Sequence, residues 1–148
     1  MRDYPGLLRI DGRVALVTAA GDGIGRATAH ALAAAGARVV VTDLDDAAAR
    51  RVVGEIEAGE AARLDVADEA QVRDVVAEGA ARHGRIDILV NNAGHGARMP
   101  STDLPTERWE AVMGVGPTGS FLCARGRRSA ASPDSPARFC LPISTPIM

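Results

Sequence analysis

Three alternating glycines, Gly21, Gly23 and Gly25, follow an apolar run at residues 14–18 and precede an alanine-rich stretch. Glycine lets a backbone turn tightly and approach a ligand without a Cβ in the way. A continuous β-branched and aliphatic run suits a buried strand. The free N–H groups of a helix that follows the glycines, with its positive dipole end, attract an anion. The segment therefore predicts a strand, a loop that binds a group such as pyrophosphate, and a helix.

The spacing of these glycines excludes two common nucleotide-binding motifs. The G-x-G-x-x-G pattern fails because Arg26 stands where its third glycine belongs. The P-loop requires a lysine after its last glycine, and all 17 basic residues of this chain are arginine. Taken alone, the loop fits a tight turn in any α/β protein as well as it fits a nucleotide site. The rest of the chain must discriminate between the two.

A carboxylate stands at the end of the next predicted strand. Asp43 lies 18 residues after Gly25, close to the roughly 20 residues expected of the acid that holds an adenosine ribose. A carboxylate accepts hydrogen bonds from the 2′- and 3′-hydroxyls and repels a 2′-phosphate. Neither Asp22 in the loop nor Leu44 after the acid offers a cation for that phosphate. The pattern therefore predicts NAD in preference to NADP, and the structural alternative is an acid that caps a helix.

Repeated strand and helix segments must position the loop and the acid. Apolar runs predict strands over residues 14–18, 38–42, 61–65 and 86–90. These strands begin at intervals of 24, 23 and 25 residues, which is typical of repeated strand-helix units. The sequence therefore predicts a parallel sheet with helices on both faces.

Local signals predict the helices between these strands. The first helix is predicted to place apolar, mostly small residues on one face: Ile24, Ala27, Ala31 and Ala34 or Ala35. It is predicted to end at Gly36. The second is capped by Asp45 or Asp46 and extends to about Ala58. Asp68 and Gln71 resemble a capping box at the start of the third.

Two helical segments are predicted in the C-terminal part. The first covers residues 101–115, Pro117 interrupts it, and residues 118–125 resume the helix. Trp109 and Phe121 are predicted to fill the core.

The composition changes after Arg125. Residues 126–138 have no periodicity and several helix breakers, which predicts an irregular loop or disorder. Residues 139–143 have the composition of a weak strand, and Pro142 argues against a central one. We therefore predict a Rossmann-type domain over residues 1–125 and an irregular tail over residues 126–148.

The glycine loop resembles the T-G-x-x-x-G-I-G loop of the short-chain dehydrogenase/reductase family. Ala19 replaces the first glycine of that motif, and we predict that Gly21 supplies the lost conformational freedom. The N-N-A-G segment after the fourth strand is the more specific match. The resemblance implies that this segment steadies the sheet beside a cofactor and that Asp65 and Val66 contact the adenine. The implied cofactor-binding residues are Thr18, Gly21, Asp22, Gly23, Ile24, Gly25, Asp43, Leu44, Asp65, Val66, Asn91, Asn92, Ala93 and Gly94.

The same resemblance implies a fold and a reaction class. The fold is a Rossmann-type doubly wound parallel α/β sheet, here incomplete on its C-terminal side. The reaction is hydride transfer between NAD and a small-molecule alcohol or carbonyl compound.

Family members use a Tyr, a Lys four residues later and a Ser, but the only tyrosine here is Tyr4 and there is no lysine. Ser144 lies near the family spacing, yet an ordinary tail serine is the preferred interpretation. Gly116 stands where the family has an Asn that helps to hold a proton-relay water. No catalytic residue is assigned.

Two alternatives to an active enzyme remain open. One is a truncated NAD-binding module without turnover, favoured by the missing Tyr-x-x-x-Lys pair. The other is a Rossmann-like methyltransferase that binds S-adenosylmethionine, against which the N-N-A-G segment argues. The abrupt change near Arg125 also predicts a reading-frame slip, because a shifted frame in a gene rich in G and C tends to encode Arg, Ala, Pro and Ser.

The overall composition excludes several function classes. A net charge of −2 without a basic stripe gives no argument for nucleic acid or an anionic membrane. No run approaches the roughly 20 apolar residues of a membrane span, and the polar start lacks the apolar core of a signal peptide, so we predict a cytoplasmic protein. Cys123 and Cys140 form no metal or disulfide pattern. His95 is interpreted as a solvent-exposed loop residue. The resemblance implies that a full-length form can assemble as a homo-oligomer.

Overall fold

The computed structural model describes residue 6, residues 8–130 and residues 139–142. Five parallel strands form one sheet in the order β3-β2-β1-β4-β5. They are β1 Val14–Val17, β2 Arg38–Asp43, β3 Gly59–Arg63, β4 Ile88–Asn91 and β5 Phe139–Pro142. The α-helices are α1 Gly23–Ala34, α2 Asp46–Val53, α3 Glu69–His83, α4 Thr106–Met113 and α5 Gly119–Ala130. This strand order is that of a doubly wound Rossmann sheet, as predicted.

The central strands bury both of their faces, because alternate residues point into two separate clusters. One cluster joins Leu16, Val40 and Leu89 to residues of α3 and α5: Val72, Val76, Leu122 and Cys123. The other joins Val17, Val41 and Val90 to residues of α1 and α2: Ala29, Ala49 and Val52. The predicted helices on both faces are therefore confirmed.

The buried face of α1 differs from the predicted one. Gly25 and Ala29 are buried, and Leu32 and Ala33 pack against the core beside them. Ile24, by contrast, is 52% exposed, and most other residues of the predicted face are exposed as well. Small apolar residues occur all around this helix, so its periodicity alone cannot select the side that meets the sheet.

The end of α2 and the start of β3 differ from the prediction. Helix α2 ends at Val53 rather than near residue 58, and Gly54 follows it as the C-cap. Strand β3 begins at Gly59, two residues before the predicted start, because Gly59 pairs with Val39. An added Cβ on Gly59 would lie 3.1 Å from the Val39 carbonyl oxygen. This close approach sets the register of β3.

The predicted helix caps are confirmed. Asp45 accepts hydrogen bonds from the backbone of Ala47 and Ala48 at the start of α2. Asp68 accepts from Ala70 and Gln71 at the start of α3, but the Gln71 side chain accepts the Asp65 N–H rather than that of Asp68, so the capping box is only half formed. The glycines that follow α1 and α3, at positions 36 and 84, have φ angles of +97° and +75°, as expected where a helix ends in the left-handed region.

Pro117 does not break the C-terminal helix. Residues Gly114–Thr118 form a π-helical turn between α4 and α5, and such a wider turn accommodates the missing N–H of a proline. Helix α5 then continues through Ala130, so residues 126–130 are helical rather than irregular. The domain boundary predicted after Arg125 therefore lies within one continuous helix. The reading-frame slip was predicted at the same position in the sequence.

The core contacts of α4 and α5 also differ from the prediction. Trp109 and Phe121 are 53% and 57% exposed, so they do not fill the core. Leu122 and Cys123 are buried instead. Arg127 is 6% exposed and donates to the carbonyl oxygens of residues 86 and 87 at 3.1 and 3.3 Å, which holds α5 to the start of β4.

Strand β5 lies at the edge of the described sheet, next to β4. Its last residue is Pro142, and an edge strand tolerates a residue that cannot donate a ladder hydrogen bond. The predicted end of this strand at Ile143, like Ser144 and Tyr4, lies outside the described residues. Within the described part of the chain, no helix is both long and apolar enough to cross a membrane.

Candidate functional site

The strand order reverses between β1 and β4, which pair in parallel although 70 residues separate them. In open α/β sheets, the crevice beyond the carboxyl ends of such a strand pair is where ligands bind. The glycine loop follows β1 there, and Asn92 follows β4. The crevice thus brings together the two motifs that the sequence analysis selected.

Thr18 and Asn92 tie the two motifs together. The Thr18 hydroxyl oxygen accepts the backbone N–H of Asn92 at 3.0 Å and that of Ala93 at 2.9 Å. The Asn92 side-chain amide donates to the carbonyl oxygens of Thr18 and Ala19 at 3.0 and 2.9 Å. Thr18 is 1% exposed, so these bonds are shielded from water. The N-N-A-G segment therefore holds the glycine loop directly.

Ala19, at the position of the first glycine of the motif, itself adopts the left-handed conformation that favours glycine. Its φ is +50°, and Gly23 in the same loop has a φ of +54°. Gly21 is not among the residues with positive φ, so the prediction that Gly21 supplies the lost freedom is wrong. Gly21 is needed for space, because an added Cβ would lie 2.7 Å from the Ala48 Cβ and 2.9 Å from an Asp43 carboxylate oxygen.

Gly25 brings the first turn of α1 against the loop. An added Cβ there would lie 2.2 Å from the Ala19 carbonyl oxygen and 2.6 Å from the Asn92 amide nitrogen. Asp22 precedes this turn as the N-cap residue, with an extended backbone and no capping hydrogen bond from its side chain. Ile24 is exposed in the same turn. The beginning of α1 is thus held close to the end of β1 and faces the crevice.

Asp43 is bound to the glycine loop. One carboxylate oxygen accepts the Gly21 N–H at 2.9 Å, and the other accepts the Asp45 N–H at 3.0 Å. The side chain is half-buried, and Leu44 beside it is 57% exposed. The carboxylate therefore organises the turn before α2, but the N-cap of that helix is Asp45, so Asp43 is not the helix-capping acid of the structural alternative. It lies beside the loop, where a ribose-binding acid is expected.

Arg51 is a residue that the sequence analysis missed. It lies on α2, and its guanidinium donates to the Gly21 carbonyl oxygen at 3.1 Å. Asp22 and Leu44, the positions next to the motifs, offer no cation, whereas Arg51 reaches the loop from α2. The available signal was the Arg50-Arg51 pair in the second turn of the helix that follows Asp43.

Asp65 and Val66 differ in their surroundings. Asp65 is half-buried and accepts the Ala67 N–H at 2.9 Å. The Val66 side chain is 6% exposed and packs against α5, where an added Cβ on Gly119 would lie 2.8 Å from it. Any adenine contact of Val66 would therefore fall to its backbone, whereas the Asp65 side chain is accessible.

The remaining motif residues lie at the end of β4. Asn91 is 5% exposed and its amide donates to the Ser120 carbonyl oxygen at 3.4 Å, which links β4 to α5. Gly94 and His95 are exposed in the loop that follows. Among the residues that the structure describes, no group of three or more His, Cys, Asp or Glu side chains is arranged to hold a metal ion.

Asp87, a carboxylate with several hydrogen-bond donors around it, lies at the opposite end of the strands from the crevice. Burial acts to raise the pKa of Asp87, but hydrogen bonds from Arg85, the Val14 N–H and Arg13 outweigh it and hold that pKa below its ordinary value. Asp87 precedes β4 and bonds to the start of β1, so it lies at the amino ends of the strands. Its role is to join two strands, away from the crevice.

Comparison with known proteins gives consistent matches. The family model described as short chain dehydrogenase matches residues 13–130. D-threitol dehydrogenase of Mycolicibacterium smegmatis is 42% identical over 118 residues, which cover 77% of this chain and 45% of that protein.

Two solved structures of similar fold carry different cofactors. The 3-ketoacyl-(acyl-carrier-protein) reductase from Brucella melitensis, complexed with NADH, has a TM-score of 0.75 at 40% identity, covering 78% of this chain and 48% of that one. A gluconate 5-dehydrogenase from Burkholderia cenocepacia, in complex with NADP and tartrate, has a TM-score of 0.78 at 42% identity, covering 84% of this chain and 51% of that one. The chain spans about half the length of the relatives that it matches.

Proposed function

This chain belongs to the short chain dehydrogenase family, and from that membership we propose that it forms the NAD-binding part of an oxidoreductase acting on a small alcohol or carbonyl compound. The observation that carries the proposal is the position of the glycine loop. It lies at the strand-order switch, held on one side by Asn92 and on the other by Asp43.

The residues present fit a dinucleotide. Gly21 and Gly25 let the loop and the first turn of α1 pack tightly where a Cβ would collide with neighbouring protein atoms, and the helix N-terminus positioned in this way favours an anion such as a pyrophosphate. Each Asp43 carboxylate oxygen accepts one backbone N–H and retains acceptor capacity for the ribose hydroxyls. The backbone of Asn92 and Ala93, fixed by Thr18, forms the wall of the crevice beside the loop. NAD, when bound, supplies the hydride acceptor, and NADH the donor.

We propose NAD in preference to NADP because of the Asp43 charge. Similar folds exist with NADH and with NADP, so the fold itself does not select the cofactor. A carboxylate beside the adenosine ribose favours free hydroxyls and repels a 2′-phosphate. The charge of one side chain therefore carries the preference.

We further propose that these 148 residues bind NAD without turnover. Their single tyrosine is Tyr4 and they contain no lysine, so the acid/base pair expected from the family is not within them. Purified protein mixed with NAD and a panel of alcohols should produce no NADH absorbance. Reproducible NAD-dependent oxidation would contradict this proposal.

Calorimetric titration of the purified chain tests the binding proposal. We expect measurable binding of NAD, weaker binding of NADP and no binding of S-adenosylmethionine. Equal or tighter binding of NADP would overturn the preference. Binding of S-adenosylmethionine in place of NAD would overturn the function and restore the methyltransferase alternative.

Self-association of a full-length form is also proposed. Trp109 and Phe121 on α4 and α5 are 53% and 57% exposed, and large exposed apolar side chains favour a protein contact. Sedimentation velocity of a full-length form, with a Trp109→Glu/Phe121→Glu variant as comparison, measures this. A monomer at micromolar concentration would contradict it.

A further inference from the structure

Charged side chains of opposite sign hold the two backbone polar groups of Gly21. Its N–H donates to Asp43 at 2.9 Å, and its carbonyl oxygen accepts from Arg51 at 3.1 Å. The carboxylate and the guanidinium are therefore each one hydrogen bond from the same loop residue. A cofactor ribose that contacts Asp43 must lie near this pair.

The position of Arg51 is set by α2. Asp45 caps the helix, and Ala49 and Val52 are fully buried against the sheet. Ala48 contacts the loop directly, because an added Cβ on Gly21 would lie 2.7 Å from its Cβ. Arg51 follows Ala48 by three residues and so extends the same helix face by one turn. The contact of Arg51 with Gly21 is therefore positioned by α2, a helix that is itself fixed against the sheet.

Arg51 differs from the other arginines around it. Arg50 pairs with Asp46 at 2.7 Å, and Arg26 pairs with Glu55 at 2.9 Å. Within the described part of the chain, Arg51 forms no ion pair, and the Gly21 oxygen is the one acceptor for its hydrogen bonds. A guanidinium has five N–H donors and binds phosphate in a bidentate manner. Arg51 therefore keeps donors available for an anion.

We propose that Arg51 is a second determinant of cofactor class, which acts together with Asp43 at Gly21. The inference rests on the proposed NAD-binding function. With both side chains present, the carboxylate favours ribose hydroxyls while the guanidinium holds the loop. With the carboxylate neutralised, the guanidinium binds the 2′-phosphate of NADP. Neutralising the Asp43 carboxylate alone would then be enough to create an NADP site.

The test uses calorimetric titration of the full 148-residue chain with NAD and NADP. The Asp43→Asn variant keeps an oxygen that can accept the Gly21 N–H but removes the charge. It should bind NADP roughly 10- to 100-fold more tightly than the original chain, the range of one charge-assisted hydrogen bond. Adding Arg51→Ala should abolish that gain. Adding Arg50→Ala, which removes the same charge one residue away, should leave it.

Several outcomes overturn the inference. A gain in NADP affinity that survives Arg51→Ala excludes a role for Arg51. An equal loss with Arg50→Ala shows a general charge effect instead. If the original chain binds NAD and only the Arg51 dependence fails, the proposed function stands and the inference falls. If the original chain binds neither dinucleotide, both fall. Thermal unfolding checks each variant, and Asp43→Ser replaces Asp43→Asn if the latter does not fold.

Discussion

The Asn92 side-chain amide donates to two successive backbone carbonyls, those of Thr18 and Ala19, at 3.0 and 2.9 Å. Since the backbone N–H groups of Asn92 and Ala93 return to the Thr18 hydroxyl, the loops after β1 and β4 form one hydrogen-bonded unit. The geometry of the crevice therefore depends on the hydrogen bonds between Thr18 and Asn92.

Removing the Thr18 hydroxyl should destabilise this unit. Thr18→Val keeps the side-chain shape but leaves the N–H groups of Asn92 and Ala93 without their acceptor. We expect a loss of about 1–3 kcal/mol in the free energy of unfolding, the cost of a buried unsatisfied group. Urea denaturation measures it. Thr28→Val, which removes an exposed hydroxyl bond within α1, is the control, and an equal loss there would contradict the prediction.

Gly25→Ala should be among the more damaging single substitutions in the loop. The new Cβ would lie 2.2 Å from the Ala19 carbonyl oxygen, so α1 must move away from β1. Overpacking of this kind typically costs about 1–3 kcal/mol, and we expect NAD binding to be lost as well. Gly114→Ala is the control, because that glycine has a helical φ of −62° and open space around its Cβ position. A neutral Gly25→Ala variant in thermal unfolding would refute the clash.

Ala19→Gly should stabilise the protein slightly. A non-glycine residue in the left-handed region costs roughly 1–2 kcal/mol, and the extra freedom that glycine has in the unfolded chain offsets about 0.4–1 kcal/mol of this. The net gain should be on the order of 0.5 kcal/mol and appear as a higher denaturation midpoint. The neighbouring Ala20 is fully buried and does not have positive φ, so Ala20→Gly should lower the midpoint. A lower midpoint for Ala19→Gly would show that the strain is absent.

Asp43→Ala should weaken NAD binding and narrow the difference between NAD and NADP. A hydrogen bond to a charged group is typically worth about 1.5–3 kcal/mol, and this substitution also releases the Gly21 N–H. The dissociation constants of both dinucleotides measure the effect. Asp74→Ala, which removes an exposed carboxylate on α3 that pairs with its neighbour Arg73, should change neither. An unchanged preference in Asp43→Ala would remove the basis for the cofactor assignment.

Asp87 should make the fold sensitive to acid. Its pKa is lower in the folded protein than in the unfolded chain, so the ionised form stabilises the fold. That contribution is complete above the unfolded value of about 3.9 and is lost as the pH falls through the lower folded value. Asp87→Asn should reduce stability at pH 7 and flatten the pH dependence below about pH 4. Denaturation at several pH values measures this, and parallel curves for both proteins would contradict it.

Contacts between residues close in the sequence could be predicted from the sequence alone. The repeat of strand and helix, the caps at Asp45 and Asp68, and the acid at the end of β2 are all determined by neighbouring residues. Hydrogen bonds from a capping side chain to the first turn of its own helix need no distant partner. A continuous apolar run indicates a parallel strand buried on both faces, whatever its position in the chain. These features were confirmed in type, with boundary shifts of a few residues.

Only the tertiary structure decided which side of an element meets a partner. The buried face of α1, the exposure of Trp109 and Phe121, and the space around Gly21 depend on β2, α2 and the sheet, which are distant in the sequence. The bond from Arg51 to Gly21 joins residues 30 positions apart, and the bonds between Thr18 and Asn92 span 74. Because such contacts arise from packing between elements, no local pattern encodes them.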